Sequence, residues 1–145
     1  MKRTLIFVLS IVLIVCTMIL SKYYEYKQND DEIKKFNVKY ERYLDKEILG
    51  TDIATIVNQA VDDNEQAFIK KDENGKYIQD NEKYINIEIK ITDLEEDKIY
   101  TMETLYHGGM GNFALLYDQI KFKCGKIEYN SKGKVKYMLF EQISS

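Results

Sequence analysis

A chain of 145 residues with 21 Lys and Arg against 24 Asp and Glu has a net charge of −3, too acidic for a protein that tracks nucleic-acid phosphates. One His and two Cys exclude a disulfide-stapled scaffold and a Cys/His-rich zinc module, and there is neither Pro nor Trp. What remains is an apolar segment at the start and enough chain behind it for one ordinary domain with its own core.

The apolar segment is residues 4–20, opening at Thr4 and closing at Leu20 (TLIFVLSIVLIVCTMIL), with Ser10, Cys16 and Thr17 as its polar groups and no charge. As a helix it covers about 25 Å, close to the ~30 Å hydrocarbon layer of a bilayer. Its hydroxyls can bond back to the preceding turn. Tyr23, Tyr24 and Tyr26, with Lys22 and Lys27 among them, supply the aromatic and basic belt of a membrane boundary. The run exceeds the usual signal-peptide core, and bulky Ile19 stands two places before Ser21 where cleavage needs a small residue. A lipoprotein site fails too, because Val15 precedes Cys16. An uncleaved anchor is expected.

Lys2 and Arg3 favour an inside N-terminus, against Lys22, Lys27, Lys34 and Lys35 on the far side. The expected organisation is a cytoplasmic tail (1–3), a transmembrane anchor (4–21), a juxtamembrane linker (22–31) and an extracytoplasmic domain (32–145). The lipid bilayer is then the partner of residues 4–20. Setting Lys2 and Arg3 aside leaves the rest at −5, so nucleic acid is not an expected partner.

Residues 21–31 hold neither Gly nor Pro, so the first helix can run on through them. Ile33, Phe36, Tyr40, Tyr43, Leu44 and Ile48 then recur at helical steps, and Gly50 reads as the C-terminal cap. A second helix starting at Thr51 or Asp52 aligns Ile53, Ile56, Val57, Ala60 and Val61 and ends near Asn64. The period then becomes two. Residues 67–71 and 76–79 flank Asp72-Glu73-Asn74-Gly75, a hairpin signal. Residues 84–91 set Ile85, Ile87, Ile89 and Ile91 against Asn86, Glu88 and Lys90, the clearest strand in the chain. An acidic loop (92–98), a β-prone run (99–106), a Gly-rich loop (107–112) and a helical turn or short strand (113–117) follow. A hairpin closes the pattern, with arms 119–129 and 134–143 about Asn130-Ser131-Lys132-Gly133 and a bulge at Gly125, where the apolar phase switches. The expected fold is α+β: an N-terminal transmembrane helix, two amphipathic helices and an antiparallel sheet of about five strands, helices on one face.

Phe36-Asn37-x-x-Tyr40-Glu41-x-Tyr43, Gly50-Thr51-Asp52-Ile53-x-Thr55-Ile56-x-Asn58 and Asn64-Glu65 resemble a pattern in small uncharacterised bacterial single-pass membrane-anchored proteins. Tyr100-Thr101-Met102-Glu103, Phe122-Lys123-Cys124 and Phe140-Glu141-Gln142 fit the same resemblance, which implies no assigned activity. The plan, a hydrophobic helix running into a helix packed on a sheet, is similar to pilin-like proteins. Residues 4–20 lack the Gly processing site and the early Glu of a pilin leader, so pilus-type processing is not implied.

No catalytic set stands out. His107 is the single histidine, and Cys124 the one other N or S ligand of the domain, too few for zinc. Cys124 with His107 is the one pair from which a thiolate nucleophile can be drawn, although Cys124 alternates with Ile120 and Phe122 as a buried strand residue would. A sortase also needs an Arg after the Cys, and both arginines lie upstream, at Arg3 and Arg42. Asp72-x-Asn74-Gly75 has the wrong Gly position for a calcium loop, and Asp93, Glu95, Glu96 and Asp97 read as a solvated acidic loop. Gly108-Gly109-Met110-Gly111 lacks the Lys-Ser/Thr of a phosphate loop. The stretch His107, Gly108, Gly109, Met110, Gly111 and Asn112, with an exposed Met110, is the candidate interaction loop. No cofactor or metal is expected. The functional expectation is a membrane-tethered extracytoplasmic interaction or structural module that meets a protein partner or itself, as a minor part of an envelope or pilus-like assembly. The alternatives are a tethered thiol enzyme and a small-ligand sensor.

Overall fold

The computed structural model describes residues 1–79, 82–93 and 96–143. It divides into two compact units, Met1–Lys35 and Phe36–Ser145. The first unit is a single stretch of α1 (Lys2–Glu41), in which every side chain up to residue 29 is exposed. The helix is long and apolar enough to cross a membrane. Its hydroxyls turn inward on the backbone: Ser10 Oγ donates to Ile6 O at 2.9 Å and Thr17 Oγ1 to Ile14 O at 2.8 Å. With no Gly or Pro to stop it, the helix continues through residues 21–31. Lys22–Glu25 and Lys34–Asp30 pairs lie along that surface at 2.7 and 2.6 Å.

In the second unit, the final turns of α1 are built into the domain. Asn37 engages both ends of its amide there: Nδ2 donates to Gly133 O at 2.8 Å, and Oδ1 accepts from Val135 N at 2.9 Å. Tyr40 is fully buried and donates to Asp63 Oδ2 at 2.7 Å, while Lys39 pairs with Asp63 Oδ1. The helix stops at Glu41, well before Ile48. Asp45 takes a left-handed φ of 55°, and Ile48 instead enters the core from β1 (Glu47–Leu49), opposite Phe122. Gly50 is therefore not a C-cap. It opens α2 (Gly50–Gln66), whose buried stripe is the expected Ile53, Ile56, Val57, Ala60 and Val61.

The Asp72–Gly75 turn forms as its Asn-Gly predicts, with Gly75 at φ 76° and Asp72 Oδ1 accepting from Asn74 N and Lys76 N. Its arms are not strands, however. They share one bridge, Lys71 with Tyr77, because Ile69 N is already held by Asn64 O and Tyr77 N by Glu103 Oε1.

β2 (Asn86–Asp93) buries Ile87, Ile89 and Ile91 as the alternation requires. Most of the expected acidic loop is paired strand: Thr92 faces Asp97 across the ladder to β3 (Glu96–Thr101), while Leu94 and Glu95 lie outside the described residues. The β-prone run 99–106 is divided at Thr101, whose Oγ1 accepts from Thr104 N and starts α3 (Met102–Leu116). The Gly-rich stretch 107–112 is thus helix rather than loop, bent at Gly109 (φ 93°, ψ 100°), and 113–116 is helical as well. The bend shifts the apolar phase, so Met102 and Leu105 before it and Met110 and Phe113 after it all reach the core.

β4 (Lys121–Tyr129) and β5 (Val135–Gln142) form the expected hairpin, with a register shift between Cys124 and Lys126 that places the bulge at Gly125. The five strands run β1-β4-β5-β2-β3. The sheet is mixed rather than antiparallel, because β2 and β5 pair in parallel. Alternation is identical in both kinds of ladder, and the direction comes from the connection through β3, α3 and β4. Helices α2 and α3 cover the face of Ile87, Phe122, Met138 and Phe140. The other face carries Lys121, Lys123, Glu128, Glu88 and Lys90 and has no helix on it among the described residues.

Candidate functional site

Cys124 faces the helical layer, opposite Phe140, half-buried, with its thiol directed at Lys126 O at 3.4 Å. Burial raises its pKa, opposed by that hydrogen bond and seconded by the Asp45 and Glu141 charges. A nucleophilic thiol needs the reverse shift. His107 is exposed on α3, beside the Asp72–Gly75 turn, and no hydrogen bond joins it to Cys124. Among the described residues no group of three or more His, Cys, Asp or Glu is placed to hold a metal.

The six residues of the expected interaction loop separate into two sets. Met110 is buried in the core, contrary to its expected exposure, because the Gly109 bend turns it inward. His107, Gly108, Gly111 and Asn112 remain on the open side, and a methyl group added at Gly108 or Gly111 meets nothing.

A different set of residues is gathered on the uncovered sheet face. Asn86, Tyr137 and Glu128 are register neighbours on β2, β5 and β4, so they form one cross-strand row. Tyr84 and Glu88 flank Asn86 along the β2 line, and Lys136 stands beside Tyr137. Together with Gln79 they line a groove of about 360 Å³. Tyr137 donates to Glu88 Oε2 at 2.8 Å, and Asn86 Nδ2 donates to Glu88 Oε1 at 3.3 Å. Glu128 is held between Lys126 (2.7 Å) and Lys136 (3.3 Å), which lower its pKa through those hydrogen bonds.

Burial raises the Tyr84 pKa, with the Glu103 charge adding to it. Burial also raises that of Tyr137, followed by its bond to Glu88. At neutral pH the groove therefore offers two neutral phenols and an ionised Glu128.

Comparison with family models, curated proteins and solved structures finds no match to this chain. The groove therefore stands on its chemistry. The sequence does show Asn86, Glu88 and Lys90 on one strand face, and it shows the final hairpin. It does not show that β5 lies beside β2, the contact that brings Tyr137 and Glu128 to Asn86. One signal was available: Glu128 and Tyr137 are set opposite in phase to the apolar Ile127 and Met138, and so belong to a shared polar face.

Proposed function

We propose that this chain is a membrane-tethered extracytoplasmic interaction or structural module, with its N-terminus inside and its C-terminal domain outside. One observation carries the reading. The apolar side chains of α1 from Leu5 to Leu20 are all at least half exposed or close to it, with no cover from the described residues, and lipid is the medium in which such a surface is stable. Lys2 and Arg3 at one end and the Tyr23, Tyr24 and Tyr26 belt at the other support the same arrangement. The Asn37, Tyr40 and Lys39 contacts fix the last turns of α1 into the domain. A place in an envelope assembly of pilus-like plan belongs to this reading.

Cell fractionation and protease shaving test it. The full-length chain should pellet with membranes and resist carbonate extraction, and protease added to intact cells should degrade the domain. Mature product free in the medium and trimmed near Ser21, or a domain protected until the cells are lysed, would overturn it.

A further inference from the structure

We propose that the groove on the open sheet face binds a neutral polyhydroxylated ligand, a saccharide unit. This deepens the tethered-module reading and rests on it solely for where the ligand is met. The volume of about 360 Å³ lies at the lower end of the range of small-molecule sites.

The polar groups inside it are incompletely used. Asn86 is 6% exposed and its amide Nδ2 donates to Glu88, while its carbonyl Oδ1 accepts from none of the described residues and is open to the groove. An amide oxygen placed so is an acceptor that a ligand hydroxyl can take over from water. The Tyr137 hydroxyl directs its proton at Glu88 and keeps lone pairs free to accept.

The charges argue against an ionic occupant. Glu128 lies between two lysines, and Glu88 receives both the Tyr137 hydroxyl and the Asn86 amide. The lining itself holds Glu88, Glu128 and Lys136, and the adjoining Lys126, paired to Glu128, brings the charges to two of each sign. A cation or an anion would have to break those pairs and would gain no net field in return. A hydroxyl-bearing neutral ligand meets donors and acceptors already in place, and the half-buried Tyr137 ring, with the Lys126 ammonium 5.6 Å from its centroid, provides apolar surface for its C–H groups.

The test uses the full chain, isotopically labelled, in phospholipid nanodiscs. Chitotetraose and maltotetraose are titrated while the Asn86 side-chain amide and the Tyr137 backbone amide are followed by NMR. Spermidine and inorganic phosphate serve as the charged probes. A further arm adds a glucosyl-diacylglycerol to the nanodisc, so that a lipid-borne sugar is distinguished from a soluble glycan. The expected result is saturable shifts with at least one saccharide and none with spermidine or phosphate. Asn86→Leu should weaken binding about tenfold or more. Tyr137→Phe, which deletes one hydroxyl and preserves the packing, should weaken it severalfold.

Absence of shifts with every saccharide probe and the glycolipid overturns the proposal. So does binding by spermidine or phosphate instead, or saccharide binding that both variants leave unchanged. Saccharide binding by a domain that shaving finds on the inner side would sink the topology and leave the groove standing. An outside domain that binds no sugar would do the reverse.

Discussion

Replacing Gly50 by Ala separates two accounts of the same glycine. A Cβ built there would stand 2.2 Å from Tyr117 O and 2.7 Å from Tyr117 C, backbone atoms that no rotamer change can move. Ordinary contact begins near 3.4 Å, so one backbone has to retreat by about 1 Å. The same movement stretches the bond from Gly50 N to Tyr117 O, now 3.1 Å, which joins the start of α2 to the end of α3. Overpacking of this kind costs about 1–3 kcal/mol and the hydrogen bond about 1 more, giving roughly 2–4 kcal/mol. For a domain of this size the Tm should fall by roughly 8–16 °C. Near-UV circular dichroism of the tyrosines reports on this transition, since the far-UV signal is shared with α1. Gly50→Asn provides the decisive comparison. A glycine needed as a left-handed helix cap accepts Asn with little loss, whereas one needed for close approach tolerates Asn no better than Ala. A Gly50→Asn protein close to wild type in Tm, with Gly50→Ala well below it, would refute the close-approach reasoning.

Asn64→Ala should cost about 2–4 kcal/mol, because the fully buried amide both donates to Ile85 O (2.8 Å) and accepts from Ile85 N (2.9 Å), and its loss strands both groups. Chemical denaturation should show the midpoint falling with an unchanged slope. Cys124 should react slowly with a maleimide at neutral pH, faster as pH rises beyond the ordinary thiol range, and at the rate of a free thiol once denatured. Rapid labelling of the native protein would contradict its burial. Tyr40, Tyr84 and Tyr137 all have raised pKa values, from burial first and then from Asp63, Glu103 and Glu88 respectively. Their contribution to stability is complete below the ordinary phenol value, near pH 10, and is lost as pH climbs through the raised folded values. Absorbance at 295 nm should show these rings ionising together with loss of the tyrosine circular dichroism, whereas titration of every phenol near pH 10 with the fold intact would refute this.

What the sequence revealed was governed by local periodicity. The apolar α1, the α2 stripe and the alternation of Ile85, Ile87, Ile89 and Ile91 each state their element within one short window, and each is found. Gly125 was legible as a bulge because the phase change around it is local too. The failures lie where one residue changes the frame. Asp45 ends a periodic run that the side chains alone would carry on to Ile48. Gly109 breaks the helical phase of α3, so its apolar residues fit no single stripe and the segment passes for a loop. The candidate groove was invisible for another reason. It depends on β2 meeting β5 across a long stretch of chain, and side-chain alternation does not encode which strand will be the neighbour.

The place of β5 has a consequence for biogenesis. It comes after the other four strands along the chain and yet lies between β4 and β2. A nascent polypeptide that has emerged as far as Asn130 can therefore hold β1 with β4, and β2 with β3, as two detached ribbons without a common sheet. Closure waits for Val135–Gln142 to slot between them, so the sheet consolidates only after its last strand has been made. A product cut short before Val135 would leave raw edges on both ribbons, the kind of backbone that quality-control proteases and aggregation seize first.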